Sequence, residues 1–342
     1  MTRARIVIVL VFLAGALLFA LAGLRRPVIL VVHSFDNTIP WARGEATGLA
    51  SVFDGASDVR ILDHYLDAND AAPGKLESRV KSARALITAG APQAVILMDN
   101  VAQKHVGTPL LGGYPGWIIF GGIAATADKL PPSSLGKIAG ISERTPWTAI
   151  EALLREFARQ KGIANPRVAL INDAGSAADE EAAGFRSYAW RGMQLAGVWR
   201  CKDSAEWRQA LPAIRTSADL VVIGDYGSLE LAPGMSRAEG RSEIARITLN
   251  ELSAPQLALS GYAVNDGFPV GILPSPAEQG EEAARLALTA VRNGAPAYRY
   301  GHSRQFLVVA NEPVLAARAL ILPELYASYA RQVGPLIRTA GN

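Results

Sequence analysis

The sequence predicts an α/β protein with two open parallel-sheet lobes, and three observations predict it. Short uncharged apolar runs, such as 28–32 and 94–98, stop abruptly at polar or glycine-rich turns, as strands buried on both faces do. Stretches of helical periodicity alternate with these runs, the order that winds a parallel sheet with helices on both faces. The alternation runs twice, with a break between Glu143 and Pro146.

The first run opens after Pro27 with a strand at 28–32 that ends at His33-Ser34. A helix follows at about 42–53, then a weaker strand at 60–62. Residues 77–89 read as a helix, with Val80, Ala83, Leu86 and Ile87 at helical spacing and Gly90 at its end. Strands at 94–98, 117–120 and 138–141 end at Asp99-Asn100, Gly121-Gly122 and Ser142-Glu143. The second run begins at Thr145-Pro146, a helix start with proline at the first helical position, where its missing N–H costs nothing. Ile150, Leu153, Leu154 and Phe157 form the buried stripe of that helix. Strands at 167–171, 194–199, 220–223 and 256–260 alternate with helices at 178–191, 204–217 and 237–252, and Pro212 marks a kink or a late start in the middle one. Ser275-Pro276-Ala277-Glu278 reads as a capping box for a last long helix that Gly294 terminates.

A chain of 342 residues is long for one core. Half of it is hydrophobic and 19% is charged, which excludes intrinsic disorder. The net charge of +3 includes Arg3 and Arg5, and no Lys/Arg cluster occurs elsewhere, so a nucleic-acid partner is not expected. Residues 6–24 form an uncharged apolar run, close to the ~20 residues that span a bilayer. This predicts an N-terminal apolar helix within 1–27, as a signal peptide or a membrane anchor. Ala20-Leu21-Ala22 fits a cleavage site, whereas Arg25 and Arg26 resist export, so both readings stay open. Either one places the globular part in the periplasm, outside the cell, or tethered to the inner membrane.

Catalytic and cofactor motifs are missing. There is no G-x-x-x-x-G-K-[ST], no G-x-S-x-G and no H-E-x-x-H. His33, His64, His105 and His302 lack metal-ligand spacing, and the single Cys201 allows neither a disulfide within the chain nor a thiolate cluster. No cofactor, metal or catalytic residue is expected. In open α/β sheets ligands sit at the carboxyl ends of the strands. There this chain places Ser34, Asp99, Asn100, Gly121, Gly122, Asp173 and Asp225.

Several of these segments look familiar. Val31-Val32-His33-Ser34-Phe35 followed by Pro40-Trp41 resembles the first strand and ligand loop of the ABC transporter substrate-binding proteins of the type I periplasmic-binding fold. The likeness is to the tryptophan- and tyrosine-type branch and to related domains fused to sensor kinases. Met98-Asp99-Asn100-Val101-Ala102 is similar to that group's "DDNA" turn, with one aspartate lost. Ile119-Phe120-Gly121-Gly122-Ile123 resembles its "VFxGI" strand. Ala139-Gly140-Ile141-Ser142-Glu143 resembles its crossover strand, with alanine for the usual threonine. The stretch from Gly271-Ile272-Leu273 through Glu278-Gln279-Gly280 resembles the return segment, and Val308 to Pro323 the closing tail.

The resemblance covers about 28–326. It implies two lobes joined by a hinge, lobe one from 28–142 plus 256–295 and lobe two from 143–255 plus 296–330. It implies capture of a small molecule between them for an ABC permease or, alternatively, for a membrane-bound sensor, kinase or cyclase. An enzyme on the same fold is the third reading. Phe35, Asp36, Trp41, Glu143, Tyr226 and Tyr262 join the strand-end residues as expected ligand contacts. Their carboxylates, with aromatic rings that stack on planar or cationic groups, point to an amino-acid-like or amine-bearing solute.

Overall fold

The computed structural model describes residues 26–69, 72–123, 134, 136–230, 234–333 and 336–337. The N-terminal apolar run at 6–24 lies outside them. Among the described residues no helix is long and apolar enough to cross a membrane. The chain divides into two compact units, residues 1–143 with 276–302 and residues 144–275 with 303–342.

The first unit holds a six-stranded sheet. Its strands are β1 (Val28–His33), β2 (Arg60–Tyr65), β3 (Ala94–Met98), β4 (Trp117–Ile123), β5 (Ile138–Ser142) and β11 (Tyr300–His302), in the order β11-β5-β4-β3-β1-β2. All pairs are parallel. Alternate residues face opposite cores, as the strand period demands. Ile29, Val31, Ile96 and Met98 enter one cluster, and Leu30, Val32, Val95 and Leu97 the other. Its helices include α1 (Pro40–Phe53), α2 (Lys75–Gly90), α3 (Asp99–Ala102) and the later α9 (Pro276–Asn293).

The second unit holds a seven-stranded sheet of β6 (Arg167–Asp173), β7 (Gln194–Cys201), β8 (Leu220–Ile223), β9 (Gln256–Ala258), β10 (Val270–Pro274), β12 (Phe306–Asn311) and β13 (Leu336–Ile337). The order is β13-β12-β10-β9-β8-β6-β7, and β10 with β12 is antiparallel. Its helices are α4 (Trp147–Gln160), α5 (Ser176–Ser187), α6 (Ser204–Ser217), α7 (Arg237–Glu251), α8 (Gly261–Asp266), α10 (Glu312–Ala317) and α11 (Glu324–Val333). Val168 and Leu170 pack into one core, Ala169 and Ile171 into the other.

The expected alternation is present, with four differences. Residues 256–275 belong to the second unit, not to lobe one. Pairing decides this: β9 lies beside β8 and β10 beside β9, so the second sheet simply continues, and the chain returns to the first unit at α9. Conversely, Tyr300–His302, expected in lobe two, adds to the first sheet beside β5. Strands run further than their apolar runs, because Asn172-Asp173 and Gly121-Gly122 stay inside β6 and β4. Pro212 does not break α6, which runs through it from an Asp203 cap whose carboxylate accepts the Ala205 and Glu206 N–H groups.

Candidate functional site

The first unit gathers polar side chains at the carboxyl ends of β3, β4 and β5. Helix α1 starts at Pro40, so Trp41 lies in its first turn rather than in a loop. One helical turn later comes Glu45, on the same face as the indole. Trp41 Nε1 donates to Glu45 Oε1 at 3.0 Å and to Asp99 Oδ1 at 3.1 Å. Glu45 is 1% exposed and Asp99 8%. Asp99 opens α3 with a left-handed φ of 68°, which turns its carboxyl toward the helix that carries Glu45.

Both carboxyls accept from that one indole N–H, which brings Glu45 Oε1 and Asp99 Oδ1 together. Burial pushes Glu45 well above the usual carboxylate range, and the nearby charges of Asp99 and Glu143 push it further. Burial also raises Asp99, to about 7, against the hydrogen bonds from Glu45 and Trp41. The pair therefore holds at least one proton near neutrality.

Gly122 forms the floor of this cluster. Its φ is 67°, and a Cβ there would lie 2.1 Å from Glu45 Oε1 and 3.2 Å from Asp99 Oδ1. Only glycine fits such a place. The Gly122 N–H donates to Gln279 Oε1 at 3.0 Å, which fixes the amide so that Nε2 is the free donor. Gln279 is fully buried, yet among the described residues neither its Nε2 nor Asp99 Oδ2 has a partner.

Helix α9 delivers Gln279 by packing on α1 through glycines. A Cβ on Gly48 would sit 2.0 Å from the Ala277 carbonyl oxygen, and one on Gly280 2.0 Å from the Glu45 carbonyl oxygen.

Other residues expected at this end have different partners. Ser34 Oγ donates to the Met98 carbonyl at 2.6 Å and accepts the Ala102 N–H at 2.8 Å, so it ties β1 to the turn after β3. Asp36 accepts from the Thr38 N–H and hydroxyl in a local turn that keeps its carboxyl low. Phe35 is partly buried, Asn100 is exposed and Glu143 is partly buried. A Cβ on Gly121 would meet Met98, Gln279 and Ala283, so its smallness serves packing against α9. His33 bonds Asp63 at 2.9 Å and stacks on Tyr65.

The second unit has its own cluster at the ends of β6 and β8. Asp173 spends both oxygens on backbone, accepting the Gly175 N–H at 2.8 Å and the Ser228 N–H at 2.7 Å. Asp225 Oδ1 accepts from the Tyr262 hydroxyl and from the Gly227 N–H. Tyr226 is 1% exposed, lies among Trp207, Phe268 and Tyr262, and donates its hydroxyl to Asp266 at 2.8 Å. Its ring is core, and so is Phe268. Arg241 stacks over Tyr262 and bonds Asp266 at 3.0 Å. Glu181, behind them, is raised to about 8 by burial and by Asp225. Among the described residues no group of acids, histidines or cysteine could hold a metal ion.

No protein-family model matches the sequence, and no curated protein does. Solved structures do match. A ligand-free, open substrate binding protein with adhesive properties from Clostridium difficile superposes with a TM-score of 0.66 at 12% identity, over 92% of this chain and 99% of that one. The ABC domain from Streptococcus pneumonia in complex with L-Trp gives 0.61 at 12% identity, over 91% and 100%. A carbohydrate transporter solute binding protein from Agrobacterium radiobacter in complex with D-arabinose gives 0.53 at 15% identity, over 89% and 99%. The chain has the type I periplasmic-binding fold.

The strand-end residues differ in whether the protein itself takes up their polar atoms. Trp41, Asp99 and Gly122, all expected, converge with Glu45 and Gln279, which sequence reading did not single out. Glu45 carried a readable signal, its i+4 spacing from Trp41. Gln279 carried none: it lies inside a helix whose sequence partners are far away in the chain. Glu181, Arg241 and Asp266 were likewise not singled out in the second unit.

Proposed function

We propose that this chain is an extracytoplasmic, non-enzymatic solute-binding protein that captures a small molecule for an ABC importer. The observation that carries the reading is a pair of buried polar atoms, Asp99 Oδ2 and Gln279 Nε2, that have no partner among the described residues. Buried polar groups are normally satisfied. An acceptor and a donor left open beside a partly exposed indole suit a solute that brings both a donor and an acceptor. The acidic surroundings favour an amine-bearing one. The solved structures of similar fold support the class: one is in complex with L-Trp and another with D-arabinose.

The test is a thermal-shift screen of the full chain against amino acids, amines and sugars. A solute that binds only the folded state stabilises it by about 2.7 kcal/mol at a concentration of about one hundred times Kd. We expect at least one such solute, recovered chemically unchanged by mass spectrometry. Turnover of the bound solute would refute the non-enzymatic reading. A reporter fused after Asn342 should be active outside the cytoplasm, and activity in the cytoplasm alone would refute the location.

A further inference from the structure

Deepening the proposed solute capture, and resting on it, we infer that the Glu45–Asp99 pair binds a primary ammonium group by exchanging the proton the two carboxyls share, so that capture releases a proton to solvent. Three observations and one physical rule carry this. The two carboxyls converge on one donor, Trp41 Nε1, through Glu45 Oε1 and Asp99 Oδ1, and are nearly fully buried. Two carboxyls so placed cannot both ionise without a counter-charge. The charged groups bearing on Glu45 are themselves acids, Asp99 and Glu143, so the counter-charge has to come from a proton or from a ligand. Among the described residues Asp99 Oδ2 meets no donor, and Gln279 Nε2, fixed by Gly122, meets no acceptor.

An ammonium would donate to Asp99 Oδ2 and to the Glu45 oxygen that gives up the proton. An oxygen on the neighbouring carbon, hydroxyl or carboxylate, would accept from Gln279 Nε2. The ligand class is thus a small primary amine with an adjacent oxygen acceptor. The balance is simple: one cation enters, one proton leaves for the buffer, and the charge of the cluster is unchanged. Binding is then linked to pH. Affinity should rise by about tenfold per pH unit wherever one full proton is exchanged.

The test uses the bare head group. The full chain is titrated through neutrality in methylammonium chloride and, at matched ionic strength, in potassium chloride. The infrared C=O stretch of protonated carboxyl reports the pair, and Glu45→Gln identifies its share of the band. Methylammonium should lower the midpoint by about one pH unit relative to potassium, and Asp99→Asn should abolish the difference. Equal midpoints in the two salts would overturn the inference, because a bare head group leaves no ligand shape to blame. The comparison needs only the wild-type chain, so a variant that does not fold leaves it intact. Equal midpoints together with a solute found in the thermal screen would remove proton exchange and leave solute capture standing. Failure of both would remove both.

Discussion

Asp99 shows how a site residue trades stability for readiness. Its carboxyl is raised from 3.8 to about 7 in the folded chain. An acid raised in this way holds its proton more tightly when folded. Its contribution is full below the unfolded pKa and is lost as pH rises toward the folded one. Between about pH 4 and about pH 7 the slope is about −1.4 kcal/mol per pH unit for one proton. Asp99→Asn should remove that fall, so urea midpoints measured across this range should converge at low pH and exceed wild type near neutrality. Glu181, raised from 4.5 to about 8 by burial and Asp225, should act with the same sign, and Glu181→Gln should flatten the profile up to about pH 8. Trp41 is a different case, since its N–H serves both buried carboxyls. Trp41→Phe keeps most of the ring but removes that donor. It should cost about 1–3 kcal/mol and move the carboxyl titration further upward. Trp41→Ala should also weaken solute binding by about tenfold or more.

At the scale of elements, the site depends on two helices brought close enough for Glu45 and Gln279 to reach the same turn. The approach is made at Gly48 and Gly280, where an added Cβ would overlap a facing carbonyl at 2.0 Å. Backbone cannot move aside as a long side chain can. Gly280→Ala should therefore force α1 and α9 apart, cost about 1–3 kcal/mol and loosen Gln279 from Gly122. Chemical denaturation checks the first effect, and loss of the two-salt difference checks the second. The elements themselves were largely legible in sequence. Gly90 at the end of α2 and the stripe Ile150–Leu153–Leu154–Phe157 on α4 carry local signals, and the stripe is fully buried. The ends were not. Gly121-Gly122 and Asn172-Asp173 read as turns because they are polar or small, yet Gly121 pairs with Met98, and Asn172 and Asp173 with Arg200 and Cys201, so the strands run on through them. Pro212 reads as a kink or a late start, yet α6 starts at Ser204 and continues past it with Leu211 and Ile214 buried on either side. Packing outweighs one lost backbone hydrogen bond.

At the scale of the whole molecule, each unit borrows a distant piece of chain. The first takes α9 and β11, and the second takes β12, β13 and the last helices. In the second sheet β12 is the antiparallel neighbour of β10, and Val308 and Ala310 complete the core around Val270 and Ile272. A chain ending at His302 would expose that face. It should lose the second unit while keeping the complete first one. Limited proteolysis should then degrade 144–275 and spare 26–143, and the carboxyl band assigned to Glu45 should persist. Survival of both units would show that β12 is dispensable.

By itself the sequence determined the class of fold, the repeated strand–helix order and the polar strand ends, because these depend on local periodicity and on residue types adjacent in the chain. It also carried Trp41, Asp99 and Gly122 as candidates. The tertiary structure decided which unit receives 256–275, since strand pairing acts between segments far apart in sequence. It decided which polar residues are occupied: Ser34 and Asp173 hold backbone, and Tyr226 is core. It also brought Glu45, Asp99 and Gln279 together around Gly122. A shared proton needs two carboxyls in contact and out of water, and residues separated by 54 and 180 positions reach that state only through the packing of two helices on one sheet.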